Sequence, residues 1–251
     1  MNNPRLYHKG FPSHPVRRDL RIGETIATVI AEPEFISIAE ADVNLQRSRL
    51  HEYLRLHPGF LTSLQPLPAE PSAPPIVSRM ASAAARAGVG PMAAVAGAIA
   101  DSAVRAMFHA GCRHAVFDNG GDIALITQSP VVVGIYAGRA AVRELGFRVR
   151  PSPRILGICT SSATVGHSFS FGRADAAIVI APDVPLADAA ATALGNAVKT
   201  DSEVDLRMVL ESFFTPEIEG MAVIQQDHFG WIGRLPEIIE VTGTSEHIAK
   251  G

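Results

Sequence analysis

Two stretches of small residues constrain the fold of this chain more than any other feature. Ile76 to Ala87 is alanine-rich and ends at Gly88, Val89-Gly90-Pro91 punctuates it, and Met92 to Ala110 is a second small-residue stretch that stops at Gly111. Both read as helices closed by glycine. The second carries many alanines and Gly97, so a neighbour's backbone can approach it closely. Just ahead of the pair, half the residues from Pro66 to Pro75 are proline, which excludes helix or central strand there. That stretch reads as a linker or as a rigid arm lying on the surface.

The remaining segments alternate in type without strict βαβ order. Glu24 to Ala31 and Phe35 to Ala39 read as short strands, a hairpin across Glu32-Pro33-Glu34. Glu40 to Leu56 has helical spacing. Strands are expected at Ala115 to Phe117, Ile123 to Thr127, Val131 to Ala137, Ile155 to Ile158 and Ala176 to Ala181. Asp183-Val184-Pro185 reads as a helix start with proline in the first turn, running to about Lys199. A further helix near Glu203 to Ser212 precedes strands around Met221 to Gln225 and Gly230 to Leu235. The expected class is α+β, with a largely antiparallel sheet and packed Ala-rich helices.

Composition excludes several classes of function. With 47 % hydrophobic residues over 251, a substantial core is available and disorder is disfavoured. Arginines are scattered on a chain of net charge −3 and form no stripe for nucleic acid. The longest apolar run, Met92 to Ala100, stops at Asp101, short of membrane length. Met1 to Arg5 lacks the apolar stretch of a signal peptide, and Cys112 and Cys159 make no disulfide scaffold. A soluble cytoplasmic protein with reduced thiols is expected.

Four groups of residues could carry chemistry. Cys159 to Gly172 holds six hydroxyl side chains and His167 between two apolar runs. Such a loop offers N–H groups and hydroxyls to an anion, or else its hydroxyls satisfy its own backbone. Asp188 and Thr192, four apart, share a helix face among alanines, and Asn196 extends the stripe. An oxygen-only pair suits magnesium, which takes one or two carboxylates with phosphate oxygens and water. An ordinary helix with Asp188 near its N-terminal dipole is the plainer reading. Asp118-Asn119-Gly120-Gly121-Asp122 reads as a hairpin turn, or as a turn whose carboxylates meet ribose hydroxyls or assist a metal. Cys159 with His167 and a carboxylate such as Asp175 could make an activated nucleophile, against a buried structural thiol.

Gly88 to Ala100, Asn119 to Ile123, Cys159 to Gly172 and Ala187 to Ala193 together resemble, in order, an uncharacterised ApbE-like family of bacteria and archaea, from about Arg47 to the C-terminus. More distantly they resemble ApbE, the magnesium-dependent FAD:protein FMN transferase. The resemblance implies an ApbE-like fold. It implies that Asp188 and Thr192 hold magnesium, with the backbone of Gly97 helping and Asp101 matching on the same helix. It places Asn119, Gly120, Gly121 and Asp122 at a flavin nucleotide site, and Thr160, Ser161 and Ser162, with Cys159, near the substrate. This chain departs from ApbE where Ala96 replaces a lysine, where a short loop with His167 replaces a longer insertion, and in lacking a lipoprotein signal. Ala163 stands where the closer family usually has glycine.

The expectation is therefore one domain over residues 1–251, with 66–75 a proline-rich surface segment. It binds a nucleotide or flavin diphosphate, FAD or FMN, with Mg2+, as a magnesium-dependent transferase or hydrolase of ApbE type, without support for protein flavinylation. The catalytic candidates are His167 and Cys159. The alternatives are a sulfur-assimilation protein that forms homocysteine using Cys159, which the closer family implies, and a non-catalytic binding module. The expected partner is a small-molecule nucleotide or flavin, with neither nucleic acid nor membrane, and a homo-oligomer stays open. His167, the hydroxyl loop, Asp122, Asp188 and Thr192 are expected to face one concave pocket.

Overall fold

The computed structural model describes residues 14–135, 137, 145–162, 172–199 and 202–241. Eight strands form one antiparallel sheet: β1 (Val16–Ile22), β2 (Thr25–Ala31), β3 (Ala115–Asn119), β4 (Asp122–Thr127), β7 (Ser152–Ser161), β8 (Ala176–Ala181), β9 (Gly220–Gln225) and β10 (His228–Gly233), in that spatial order. A second antiparallel sheet has the order β11 (Glu237–Glu240), β6 (Leu145–Val149), β5 (Val131–Ile135). The helices are α1 (Pro33–Leu56), α2 (Pro58–Thr62), α3 (Pro75–Ala87), α4 (Val95–His109), α5 (Val184–Ala197) and α6 (Glu203–Phe213).

The centre of the large sheet is buried on both faces, which is why strands such as β8 and β9 read as unbroken apolar runs. On β8, Ala177, Val179 and Ala181 join the core beneath the helices, while Ala176, Ile178 and Ile180 join the core beneath the small sheet. The same alternation sends Cys159 to the helix face and Ile158 to the other. The helix-face core includes Leu50, Tyr53 and Phe60 from before the proline-rich segment, and Met80 and Met107 from after it.

Both small-residue helices form, with their expected stops. Gly88, just past α3, has φ +71, the left-handed conformation that closes a helix. The second begins as a 3₁₀ turn over Pro91–Ala94 before α4. Gly97 is the close approach: a Cβ there would stand 2.7 Å from the Asp188 Cβ and 2.9 Å from the Val184 carbonyl oxygen. Helix α5 can therefore lie against the first turn of α4 only if residue 97 has no side chain.

Three expectations are corrected. Phe35 to Ala39 is not a strand, because Pro33 starts α1 and its fixed φ commits the following residues to helix. The hairpin partner of β2 is β1, which carries Arg17, Arg18, Asp19 and Arg21 and so shows no hydrophobic pattern. Its charges suit an edge strand. Cys159, Thr160 and Ser161 are the last residues of β7 rather than loop. Strands β6 and β11 have no counterpart in the sequence reading. No single helix among the described residues is long and apolar enough to cross a membrane.

Candidate functional site

The β3–β4 turn is built on glycine. Gly120 has φ +71 and Gly121 φ +103, and Asn119 pairs with Asp122 across them. Two successive left-handed residues give the tight hairpin whose twist matches its strands. Side chains pin it: the Gly121 N–H donates to Asp118 Oδ1 at 2.8 Å, and Asn119 Nδ2 donates to the Ala96 carbonyl at 3.1 Å. The Thr160 N–H donates to the Gly121 carbonyl at 3.1 Å. The turn is thus clamped between the start of α4 and the end of β7.

Asp122 stands opposite Cys159 in the β4–β7 ladder. The Cys159 thiol is fully buried, 3.7 Å from the Val184 carbonyl oxygen, and also donates to the Asp122 carboxylate. Asp188 reaches the same place from the second turn of α5. Its Oδ2 accepts from the Gly97 N–H at 2.7 Å, so it caps α4 rather than serving the dipole of its own helix. Asp122, Asp188 and Cys159 thus meet at the start of α4, and neither carboxylate is paired with an arginine or lysine among the described residues.

The electrostatics follow from this crowding. Burial raises the Asp188 carboxyl to about 7 against the pull of the Gly97 and Ala96 N–H groups. Burial, and then the charge of Asp188, push Asp122 well above the ordinary carboxylate range, while the Cys159 thiol and Thr160 N–H pull it back. Cys159 is pushed well up, by burial first and then by the charges of Asp122 and Asp188. A thiol beside two carboxylates with no cation is held protonated, the opposite of an activated nucleophile.

The sheet divides the other predicted residues between its faces. Ser161 lies on the helix face, where a Cβ on Gly195 would approach its Oγ to 3.2 Å. Asp188, Thr192 and Gly195 fall on one face of α5, which places the partly exposed Thr192 between the carboxylate and Ser161. Gly172 returns the chain to the same spot: a Cβ there would overlap the Gly195 carbonyl oxygen, and the Arg173 N–H donates to the Val198 carbonyl at 2.8 Å. Thr160, by strand alternation, points the other way. With Asp118, Gly120, Gly121 and Ser162 it lines a cavity of about 70 Å³ between the two sheets. An adjoining space of about 490 Å³ shares Asp118, Ile123, Val133 and Gly134 and adds Arg17 and Thr28. Asp118 itself is raised by burial, and drawn back by the Gly121 N–H and the charge of Arg17. His167 and Ala163 lie outside the described residues.

Asp101 faces its own surroundings. Its Oδ2 pairs with Arg79 and, at 2.6 Å, with Arg105, and its Oδ1 is buried without a hydrogen-bond partner among the described residues. The structure adds two participants that the sequence reading did not single out, the Ala96 backbone and Arg17. Neither has a local signature, since one acts through its peptide group and the other arrives from a distant hairpin. Among the described residues no three His, Cys, Asp or Glu side chains form a metal cage. The donor set on the helix face, carboxylate and hydroxyl oxygens, fits in kind a hard cation such as magnesium, which completes its shell with ligand phosphates and water.

Comparison with known proteins bears on the family and the fold. A family profile described as AbpE bacteria matches residues 11–211. A UPF0280 protein of Methanocella arvoryzae is 47 % identical over 235 residues, 92 % of this chain and 94 % of that protein. One of Methanococcoides burtonii is 43 % identical over 241 residues, 94 % of this chain and 100 % of that protein. The crystal structure of the ApbE protein of Thermotoga maritima superposes with a TM-score of 0.53 over 95 % of this chain and 100 % of that one, at 12 % identity, a likeness of fold.

Proposed function

This chain belongs to the AbpE bacteria family, an ApbE-like group, and we propose that it binds a nucleotide or flavin diphosphate together with magnesium at the start of α4. The observation that carries this reading is the meeting of Asp122 and Asp188. Two carboxylates from a strand turn and a helix stand together without a basic partner among the described residues, both raised by burial and Asp122 also by the charge of Asp188. An arrangement that opposes its own ionisation is one that a divalent cation relieves.

Asp188 and Thr192 would hold the magnesium, with the Gly97 backbone beside them. Magnesium bound there would neutralise diphosphate charge and favour transfer or hydrolysis at phosphorus. The remaining roles belong to the chain. The Asn119 amide, bonded to Ala96, fixes the glycine turn against α4. The Cys159 thiol, still protonated, hydrogen-bonds the Asp122 carboxylate and so helps hold it in place. Ser161, seated against Gly195, sets a hydroxyl on the phosphate side. The space between the sheets at Gly120 and Gly121 has apolar walls, including Ile158, Ile178 and Phe147, and it is the adjoining larger space beside Ile123 and Val133 that has the volume for a ring.

Burial of the Cys159 thiol beside two carboxylates weighs against the sulfur-chemistry alternative. Calorimetric titration of ADP or FAD with and without magnesium tests the proposal. Binding that requires the cation supports it. Binding indifferent to the cation removes the metal from the account.

A further inference from the structure

The space between the two sheets opens a second time at the end away from the glycine turn. Strand β4 starts at the turn with Asp122, and its Leu125 lines a cleft of about 670 Å³ there. Four arginines from separate segments converge on it: Arg148 in β6, Arg150 just after it, Arg154 in β7 and Arg234 just after β10. Two glutamates, Glu219 and Glu237, share the cleft, and no lysine lines it.

Two carboxylates neutralise the four arginines only in part. Arg148 reaches Glu237 at 3.2 Å. Arg154 and Arg234 stand 3.7 and 3.8 Å from the single carboxylate of Glu219, too far for hydrogen bonds. Arg150 has no carboxylate partner among the described residues. The cleft is locally positive on a chain of net charge −3. It is also held in shape. The Arg234 N–H donates to the Glu219 carbonyl at 2.7 Å, the Glu219 N–H donates to the Ile180 carbonyl at 2.8 Å, and a side chain at Gly220 would overlap the Arg234 carbonyl oxygen. Leu156, Ile180 and Leu235 give the cleft apolar walls.

We propose that this cleft binds a small organic phosphate, its phosphate on the guanidinium groups of Arg150, Arg154 and Arg234 and its apolar body against Leu156, Ile180 and Leu235. Guanidinium forks match phosphate oxygens in pairs, and three arginines on separate segments that share one carboxylate suit a dianion better than a single carboxylate ligand. The apolar walls add affinity that an inorganic ion cannot use. The site is separate from the carboxylates at α4 and needs no metal.

Calorimetry in EDTA, with phenyl phosphate, inorganic phosphate and phenol as probes, tests it. Phenyl phosphate is expected to bind more tightly than either of the others. Each arginine removed is expected to weaken it about tenfold, so the double variant Arg150→Ala, Arg234→Ala loses the most, while Arg55→Ala, on the exposed end of α1, changes nothing. The replaced side chains are exposed, and an unchanged far-UV circular dichroism spectrum establishes folding. The double variant Arg150→Lys, Arg234→Lys keeps the charge and is expected to recover part of the affinity. The proposal is overturned if phenyl phosphate does not bind, if it binds no better than inorganic phosphate, or if the double variant matches the wild type. Because magnesium is excluded, failure here leaves the carboxylate site untouched, and failure there leaves this cleft untouched.

Discussion

The carboxylate of Asp188 accepts a hydrogen bond from the backbone N–H of Gly97 at 2.7 Å, across two helices that meet closely only because residue 97 has no side chain. The pair joins residues 91 apart in the sequence. It makes the start of α4 at once a packing contact and the wall of the candidate site.

Gly97→Ala therefore sets two effects against each other. Alanine gains up to about 1 kcal/mol of helix propensity. Its Cβ, 2.7 Å from the Asp188 Cβ and 2.9 Å from a backbone carbonyl, forces the helices apart at a cost of about 1–3 kcal/mol. The expected outcome is a melting temperature lower by several degrees and weaker magnesium-dependent binding in the folded protein. An alanine variant as stable as the wild type would show that α4 and α5 do not meet as described.

The glycine turn separates conformation from space. A Cβ on Gly120 meets nothing within 4 Å, yet its φ is +71. Gly120→Ala is expected to cost about 1 kcal/mol, and Gly120→Asn less, because asparagine visits the left-handed region more readily. Urea midpoints of the two variants check the order, and equal losses would contradict a left-handed residue at 120.

Stability should depend on pH through Asp188. Its folded carboxyl titrates near 7 against an ordinary value of 3.8. Below about pH 4 the group is protonated whether folded or not. Between about pH 4 and 7 only the folded chain keeps the proton, so this contribution to stability falls as pH rises and levels off above 7, by about 4 kcal/mol at most. Asp188→Asn, which still offers an oxygen to Gly97, is expected to flatten the decline in urea midpoints between pH 5 and pH 8. A slope identical to wild type would remove Asp188 as its source.

Much of the fold is legible in the sequence where one local signal dominates. Gly88 stops α3, and Ala176–Ala181 has one reading as a strand. Phe35 to Ala39 misleads because an apolar run looks like a strand, whereas Pro33 at the first helical position decides for helix. Strand β1 is hidden by its charges, and β11 is short and mostly exposed. At the site, the Asn119–Asp122 turn is readable from its glycines. The meeting of Asp188 with Gly97 and Asp122 is a tertiary fact that only a family resemblance could anticipate. The division between Ser161 and Thr160 follows from period two once β7 is seen to run to Ser161.

Cys159 should behave as a structural thiol. Fully buried and raised well above its ordinary range, it is expected to resist iodoacetamide in the native protein and to react on unfolding, as mass spectrometry would record. Cys159→Ser keeps a donor toward Asp122 and is expected to retain magnesium-dependent binding. Rapid native alkylation would restore the nucleophile reading.

The most direct test of the carboxylate site is calorimetric titration of ADP or FAD, in the presence of magnesium, into wild type, Asp188→Ala and Thr192→Val. Wild type is expected to bind only with magnesium. Thr192→Val is expected to bind more weakly, since water can replace a neutral hydroxyl, and Asp188→Ala to lose the magnesium-dependent binding while its circular dichroism spectrum stays unchanged. Equal magnesium-dependent affinity in Asp188→Ala and wild type would contradict the account and leave Asp188 as the cap of α4 alone.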